Sequence, residues 1–300
     1  MIHFPGRLAG CLASLIVAAC TSHPATEPAG APAACNAPAG WEQVAGAAEH
    51  KVLIFGELHG TNELQDTFGR YVCAASAQGG RTLVLLELST SYADAIATAS
   101  ESADPRAELL RQMPQHWSSL DGRGSEAMLS LLERLIRLRQ SGRDLTILPM
   151  NELAGWPDMD SPEEKAAWIA VQPPEKIQQM GEDGMAARIL ADSAGFDRTI
   201  VLVGSIHARK TTFEKLPGVR HMAMLIPDAI SLQPVYDGGT SWHISGGAAG
   251  IHDVPGTNMA GAAPDSMALG PDSLPVYDGY YSVGPISASG PAQPAAGSAP

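Results

Sequence analysis

Apolar and polar residues along this chain fall into a repeating strand-then-helix rhythm. Residues 52–55 are a short apolar run that stops at Gly56. Residues 62–77 then place Leu64, Phe68, Tyr71, Val72 and Ala75 on one helical face, and Gly79 and Gly80 end it. Residues 82–88 form a nearly continuous apolar run, the pattern of a parallel strand covered on both faces. A helix over 92–103 and a polar, irregular link over 114–125 follow. Met128, Leu129, Leu132, Leu135 and Ile136 then repeat at helical spacing over 126–140. Residues 144–151 read as a third strand and 198–204 as a fourth, with a capped helix start at Ser161 and a helix through 185–190 between them. Residues 221–226 read as a fifth strand. This alternation predicts an α/β fold with a mainly parallel sheet, right-handed crossovers and flanking helices.

After residue 230 the texture changes. Glycine and proline multiply and no helical period is visible. Pro-Val-Tyr-Asp-Gly occurs twice, at 234–238 and 275–279, which predicts two short strands ending in turns. Residues 246–270 between them read as a long loop. The expectation is an irregular β appendage over 231–286 at the sheet edge.

The two ends differ from the middle. Residues 1–19 read as a secretory signal, with Arg7 ahead of an apolar run too short to span a bilayer. Residues 20–40 are rich in Pro, Ala, Ser and Thr and read as a flexible tether. Residues 287–300 hold no charge and read as a disordered tail. A single domain over 41–286, roughly 245 residues, is long enough for one sizeable core. Asp and Glu number 32 against 19 Lys and Arg, a net charge of −13, which argues against a nucleic-acid partner. Of the 4 cysteines, Cys11 and Cys20 belong to the leader. Cys35 and Cys73 remain, as a disulfide in an oxidising compartment or as two free thiols.

Polar groups gather where the apolar strands stop. Glu57 and His59 follow the first strand, with Glu63 four residues further on. Glu87 ends the second, and His207 and Arg209 follow the fourth. In a parallel sheet these ends share one edge, where open α/β folds place their chemistry. Each histidine follows a glycine by three residues, Gly56 and Gly204. The glycines are expected to turn the chain sharply and aim both imidazoles into one cavity. Asp121 and Arg123 sit on the polar link as possible loop contributors.

Two resemblances add to this. The leader's end, Leu-Ile-Val-Ala-Ala-Cys20, resembles the lipobox of bacterial lipoproteins. It implies acylation at Cys20 and an outer-membrane, cell-envelope location through a lipid anchor; an ordinary signal peptide is the alternative. Gly56-Glu57-Leu-His59-Gly-Thr-Asn-Glu63, with Glu87 and Gly204-Ser-Ile-His207, resembles the motif set of the erythromycin esterases, the ChaN haem-uptake lipoproteins and the TIKI/TraB group. This superfamily includes hydrolases, metal-dependent proteases and haem binders, so the resemblance implies a fold more than a function.

The hydrolase reading makes His59 a general base oriented by Glu57, Glu63 or Glu87, with His207 and Arg209 stabilising negative charge on a small-molecule or peptide substrate. A divalent-metal reading uses His59, His207, Glu57 and Glu87 as zinc or manganese ligands, with His243 and His252 as possible additions. The haem alternative is weaker, since ChaN proteins carry further histidines where this chain has Gly60-Thr61-Asn62-Glu63.

Overall fold

The computed structural model describes residue 1 and residues 35–293, except 156, 158, 160, 258, 260 and 271–275. The signal segment, Cys20 and its acylation, and residues 294–300 lie outside the described residues.

Nine strands and nine α-helices are found among the described residues. The helices are α1 (Trp41–Ala47), α2 (Glu63–Ala77), α3 (Ala93–Glu101), α4 (Pro105–Gln112), α5 (Pro114–Trp117), α6 (Glu126–Gln140), α7 (Pro162–Ala170), α8 (Pro174–Asp192) and α9 (Met222–Leu225). The strands are β1 (Val52–Glu57), β2 (Thr82–Ser89), β3 (Leu145–Asn151), β4 (Arg198–Gly204), β5 (Ile230–Val235), β6 (Gly239–Ser245), β7 (Ala248–Val254), β8 (Ser266–Leu269) and β9 (Gly279–Ser282). Seven of them form one sheet in the order β3-β2-β4-β1-β5-β9-β8. It is parallel except for the antiparallel β8–β9 pair at its edge.

Period-two alternation sorts the strand residues between two cores. Leu53, Phe55, Val84, Leu86, Ile200 and Leu202 join α2 and α6 on one face. Val52, Ile54, Leu83, Leu85, Val201 and Val203 meet Met185, Ile189 and Met222 on the other. Phe55 anchors the first core, with ring centroids 5.3 Å from Phe68, 5.0 Å from Tyr71 and 5.1 Å from Tyr281. Ser125 caps α6 by accepting from Met128 N–H at 3.3 Å. Cys35 and Cys73 are joined by a disulfide, with Cα atoms 5.5 Å apart, tying the segment before α1 to α2.

Several expectations need correction. Residues 221–226 are not a strand: Met222–Leu225 is a short helix, and the fifth strand is Ile230–Val235. Apolar residues at 222, 223 and 226 suit a helical turn sealing a buried face as well as they suit a strand. Residues 231–286 are not an edge appendage throughout, because β5 pairs directly with β1 inside the sheet. The expected loop at 246–270 holds β7, which forms a regular hairpin with β6, and β8. The first Asp-Gly repeat follows β5, while the second leads into β9. The tail is also ordered earlier than its composition suggests. Backbone hydrogen bonds hold residues 287–293 against α2, α6 and the hairpin.

Candidate functional site

The carboxyl ends of β1, β2 and β4 meet at the centre of the sheet, because β4 lies between β1 and β2. Glu57, the last residue of β1, stands beside Gly204, the last of β4. Glu57 is buried. Its Oε1 accepts from His59 Nδ1 at 2.5 Å, and its other oxygen accepts from the Gln65 amide. Gln65 in turn takes a hydrogen bond from the Thr61 hydroxyl at 3.1 Å. A buried polar chain from α2 thus fixes the carboxylate that fixes the imidazole, leaving Nε2 directed at Glu87.

Glu87 receives that Nε2. Its Oε2 lies 3.6 Å from His59 Nε2 and accepts from Gly204 N–H at 2.7 Å. Its Oε1 lies 3.7 Å from His207 Nε2 and 3.2 Å from Arg123 Nη2. His207 repeats the pattern of His59, because its Nδ1 is held at 2.8 Å by Glu182, a fully buried carboxylate on α8. The result is two carboxylate–imidazole pairs, Glu57–His59 and Glu182–His207, on either side of Glu87. Arg123 closes the arrangement with its Nε 3.4 Å from His59 Nε2. Asp121 orients the arginine's loop by accepting from Arg123 N–H at 3.1 Å, and its carboxylate lies 3.6 Å from the guanidinium.

The charges follow from this geometry. Burial lowers the His59 pKa, but the Glu57 and Glu87 carboxylates outweigh it and raise the value to about 9. His207 is likewise lowered by burial and raised overall by Glu87 and Glu182. Burial pushes Glu87 up, while His59, His207 and Arg123 pull it down further, to about 2. His59 therefore rests as a cation at neutral pH. A raised histidine contributes stability in full below its unfolded value of 6.5 and loses it as pH rises through about 9. The depressed Glu87 contributes above its unfolded value of 4.5 and loses its part as pH falls through about 2. Melting temperature is expected to be highest between about pH 4.5 and 6.5 and to decline on both sides. A melting curve flat from pH 6.5 to 9.5 would contradict this charge assignment.

The glycines act differently from expectation. Neither Gly56 nor Gly204 has a positive φ. What Gly204 supplies is room, since a Cβ there would stand 3.1 Å from His59 Nε2 and 3.3 Å from Glu87 Oε2. Gly204→Ala is expected to push these groups apart and lower activity about tenfold or more with little loss of stability. Paired rate and melting measurements on that variant would check it. The left-handed glycines are Gly60 (φ 71°) and Gly122 (φ 86°), whose backbones both crowd the Trp242 carbonyl.

Two expected site residues are not brought in. Glu63 starts α2 on the outer side of the loop, and its carboxylate binds Ser287 instead. Arg209 lies past the turn that delivers His207, stacked over Phe213 with its guanidinium carbon 5.1 Å from the ring centroid. The loop candidate Arg123, not Arg209, supplies the guanidinium beside Glu87. Gln65 and Glu182 belong to the site and were missed. Both sit inside helices, where a polar residue leaves no mark at a strand end. His243 and His252 stack on each other in the β6–β7 hairpin, ring centroids 4.7 Å apart.

Among the described residues, no group of three or more His, Cys, Asp or Glu side chains has the arrangement to hold a metal ion. Of the expected ligand set, Glu57 is turned to His59 Nδ1 and to Gln65 and does not join the other three, while the Nε2 atoms of His59 and His207 lie 3.6 and 3.7 Å from Glu87.

A cleft of about 450 Å³ opens above Glu87, Arg123 and His207. Its wall is the face of α8 that carries Pro174, Ile177, Gln178, Gly181 and Met185. Asn151, the last residue of β3, and Leu153 just beyond it also line the cleft.

No family model matches this chain, and no curated protein sequence does. Solved structures do match. An erythromycin esterase mutant in its open conformation superposes with a TM-score of 0.57 at 12% identity, over 84% of this chain and 94% of its own. A Bacillus cereus protein gives 0.58 at 14% identity, over 84% and 92%. A succinoglycan biosynthesis protein gives 0.58 at 11% identity, over 83% and 91%. The chain therefore has the erythromycin-esterase-like fold, over nearly the full length of each of these structures.

Proposed function

We propose that this protein is a hydrolase in which His59 activates water for attack on an ester-type carbonyl. The observation that carries this is the Glu57–His59 pair, a buried carboxylate holding Nδ1 so that Nε2 lies 3.6 Å from Glu87 and 3.4 Å from Arg123, both of which line the cleft. In its neutral form His59 Nε2 takes a proton from water as the oxygen adds to the carbonyl carbon. The resulting oxyanion is met by the Arg123 guanidinium and the His207 ring. His59 then returns its proton to the leaving oxygen as the carbon–oxygen bond breaks. Glu87 holds the two imidazoles and the arginine around the reacting centre.

The resting charge state sets the pH dependence. With His59 near 9, the reactive base form grows about tenfold per pH unit below that value. Hydrolysis of p-nitrophenyl acetate or butyrate is expected to rise across pH 6–9 and level off above. An acid-shifted optimum would sink the assignment of His59 as base.

A haem carrier is the less favoured reading. Glu57, Glu87 and Glu182 place three buried carboxylates around the two imidazoles, which opposes haem propionates. In the cell, the proposal includes a lipid anchor at Cys20 and an outer-membrane location, supported by the leader's lipobox-like end. Palmitate labelling of the wild type and of Cys20→Ser in the natural host tests it, and equal labelling of the two would dismiss the anchor.

A further inference from the structure

Residues 286–293, most of them small, run as a strip between the loop that carries His59 and the loop that carries Arg123. On one side the strip grips the loop that carries His59. Ser289 N–H donates to the Gly60 carbonyl at 2.8 Å, and Asn62 N–H donates to the Ser287 carbonyl at 3.1 Å. Glu63 closes this grip, accepting from Ser287 N–H at 2.8 Å and from its hydroxyl at 2.5 Å. On the other side the strip grips the loop that carries Arg123. Ala292 N–H donates to the Gly124 carbonyl at 2.9 Å and Gln293 N–H to the Trp117 carbonyl at 3.0 Å. It also satisfies the start of α6, where helix N–H groups lack partners. Gly290 O accepts from Glu126 N–H at 2.9 Å, and Ser289 Oγ from Ala127 N–H at 2.9 Å.

We infer that residues 286–293 are a positioning strap, latched by Glu63, that sets the His59 loop against the Arg123 loop and so holds the guanidinium at the His59 imidazole. The strap works through backbone hydrogen bonds, as an added strand does. Small side chains let it lie close to both loops. This gives Glu63 a role: it is a positioning residue, acting through Ser287 and the strap and not on a substrate. The catalytic meaning of the strap rests on the hydrolase reading, but its test below involves no substrate, so the two can fail separately.

His59 itself reports the position of Arg123. The groups facing it are Glu57 from β1, Glu87 from β2, Arg123 from the loop before α6 and His207 from the turn after β4. Asp121 stands behind Arg123, and Glu182 behind His207. Arg123 acts to lower the His59 pKa. Withdrawing it would make His59 titrate higher. Removing the negative charge of Glu63 acts in the opposite direction by its own field, so a rise in a Glu63 variant reports the movement of Arg123.

The experiment is an NMR titration of imidazole-labelled, full-length protein, with the His59 signal assigned by its loss in His59→Gln. Glu63→Ala removes the latch. Glu63→Gln keeps an oxygen that still accepts from Ser287. Ser289→Pro deletes the N–H given to Gly60. The expected result is a His59 pKa about half a unit or more above wild type in Glu63→Ala and Ser289→Pro, with Glu63→Gln close to wild type. An unchanged His59 pKa in Glu63→Ala overturns the inference, whether or not its melting temperature falls, since a fall alone would make the strip only a structural staple. Should Ser289→Pro fail to fold, the two Glu63 variants decide the matter.

Discussion

Replacing His59 with glutamine is expected to lower kcat/KM for a p-nitrophenyl ester by about 10²- to 10⁴-fold, the usual loss when a positioned general base is removed. The reasoning is geometric. His59 Nε2 faces Glu87 and Arg123 at the cleft, and Nδ1 is engaged by Glu57. Glutamine can still reach Glu57 with its amide, so the fold should survive. It offers no nitrogen that titrates, so the rise of rate with pH should vanish along with the rate. Arg123→Ala should leave that pH-dependent rise in place at a reduced rate, because the guanidinium stabilises charge and does not accept the proton. If His59→Gln kept more than a tenth of wild-type kcat/KM, water activation would have to be assigned to another group.

The largest effect on stability is expected at Glu182. Glu182→Ala should cost about 3–5 kcal/mol, the usual penalty for removing one partner of a buried ion pair. Glu182 is fully buried on α8. Its carboxylate takes hydrogen bonds from His207 Nδ1, Met222 N–H and Gln178 Nε2, each at 2.8 Å, and stands 3.4 Å from His221 Nδ1. Alanine would leave the Met222 N–H and the buried His207 Nδ1 without their partner. His221 would suffer as well, since its Nε2 already lacks a partner among the described residues. Glu182→Gln should cost less, because the amide oxygen can still accept from His207 or Met222. Urea denaturation of the three proteins would measure this, and a change below about 1 kcal/mol for Glu182→Ala would show that the carboxylate is not holding the α8–α9 contact.

The sheet was legible in the sequence because its inner strands are buried on both faces. Runs such as residues 82–88 and 198–204 suit a parallel strand covered on both faces, and the polar residues that stop them mark the sheet's carboxyl edge. For the same reason Glu57, His59, Glu87 and His207 could be named as site candidates without a structure. Signals that depend on the solvent side of the chain were not legible. Residues 248–254 carry glycine and isolated apolar groups, so nothing in their pattern reveals that they pair with residues 239–245.

The sequence by itself determined which strand ends carry acid and base groups, because burial fixes strand positions one residue at a time. Tertiary structure alone decided their partners. Glu63 and Gln65 are two residues apart on α2, yet one is turned outward to Ser287 and the other inward to Glu57. Arg123 and Arg209 both carry a guanidinium, yet only the Arg123 loop is brought to His59 and Glu87. The 287–293 strip has no large apolar side chain whose pattern could announce its place. It is held by backbone hydrogen bonds, which any sequence can make, and by the hydroxyls of Ser287 and Ser289, so its position is set by the surfaces that receive it.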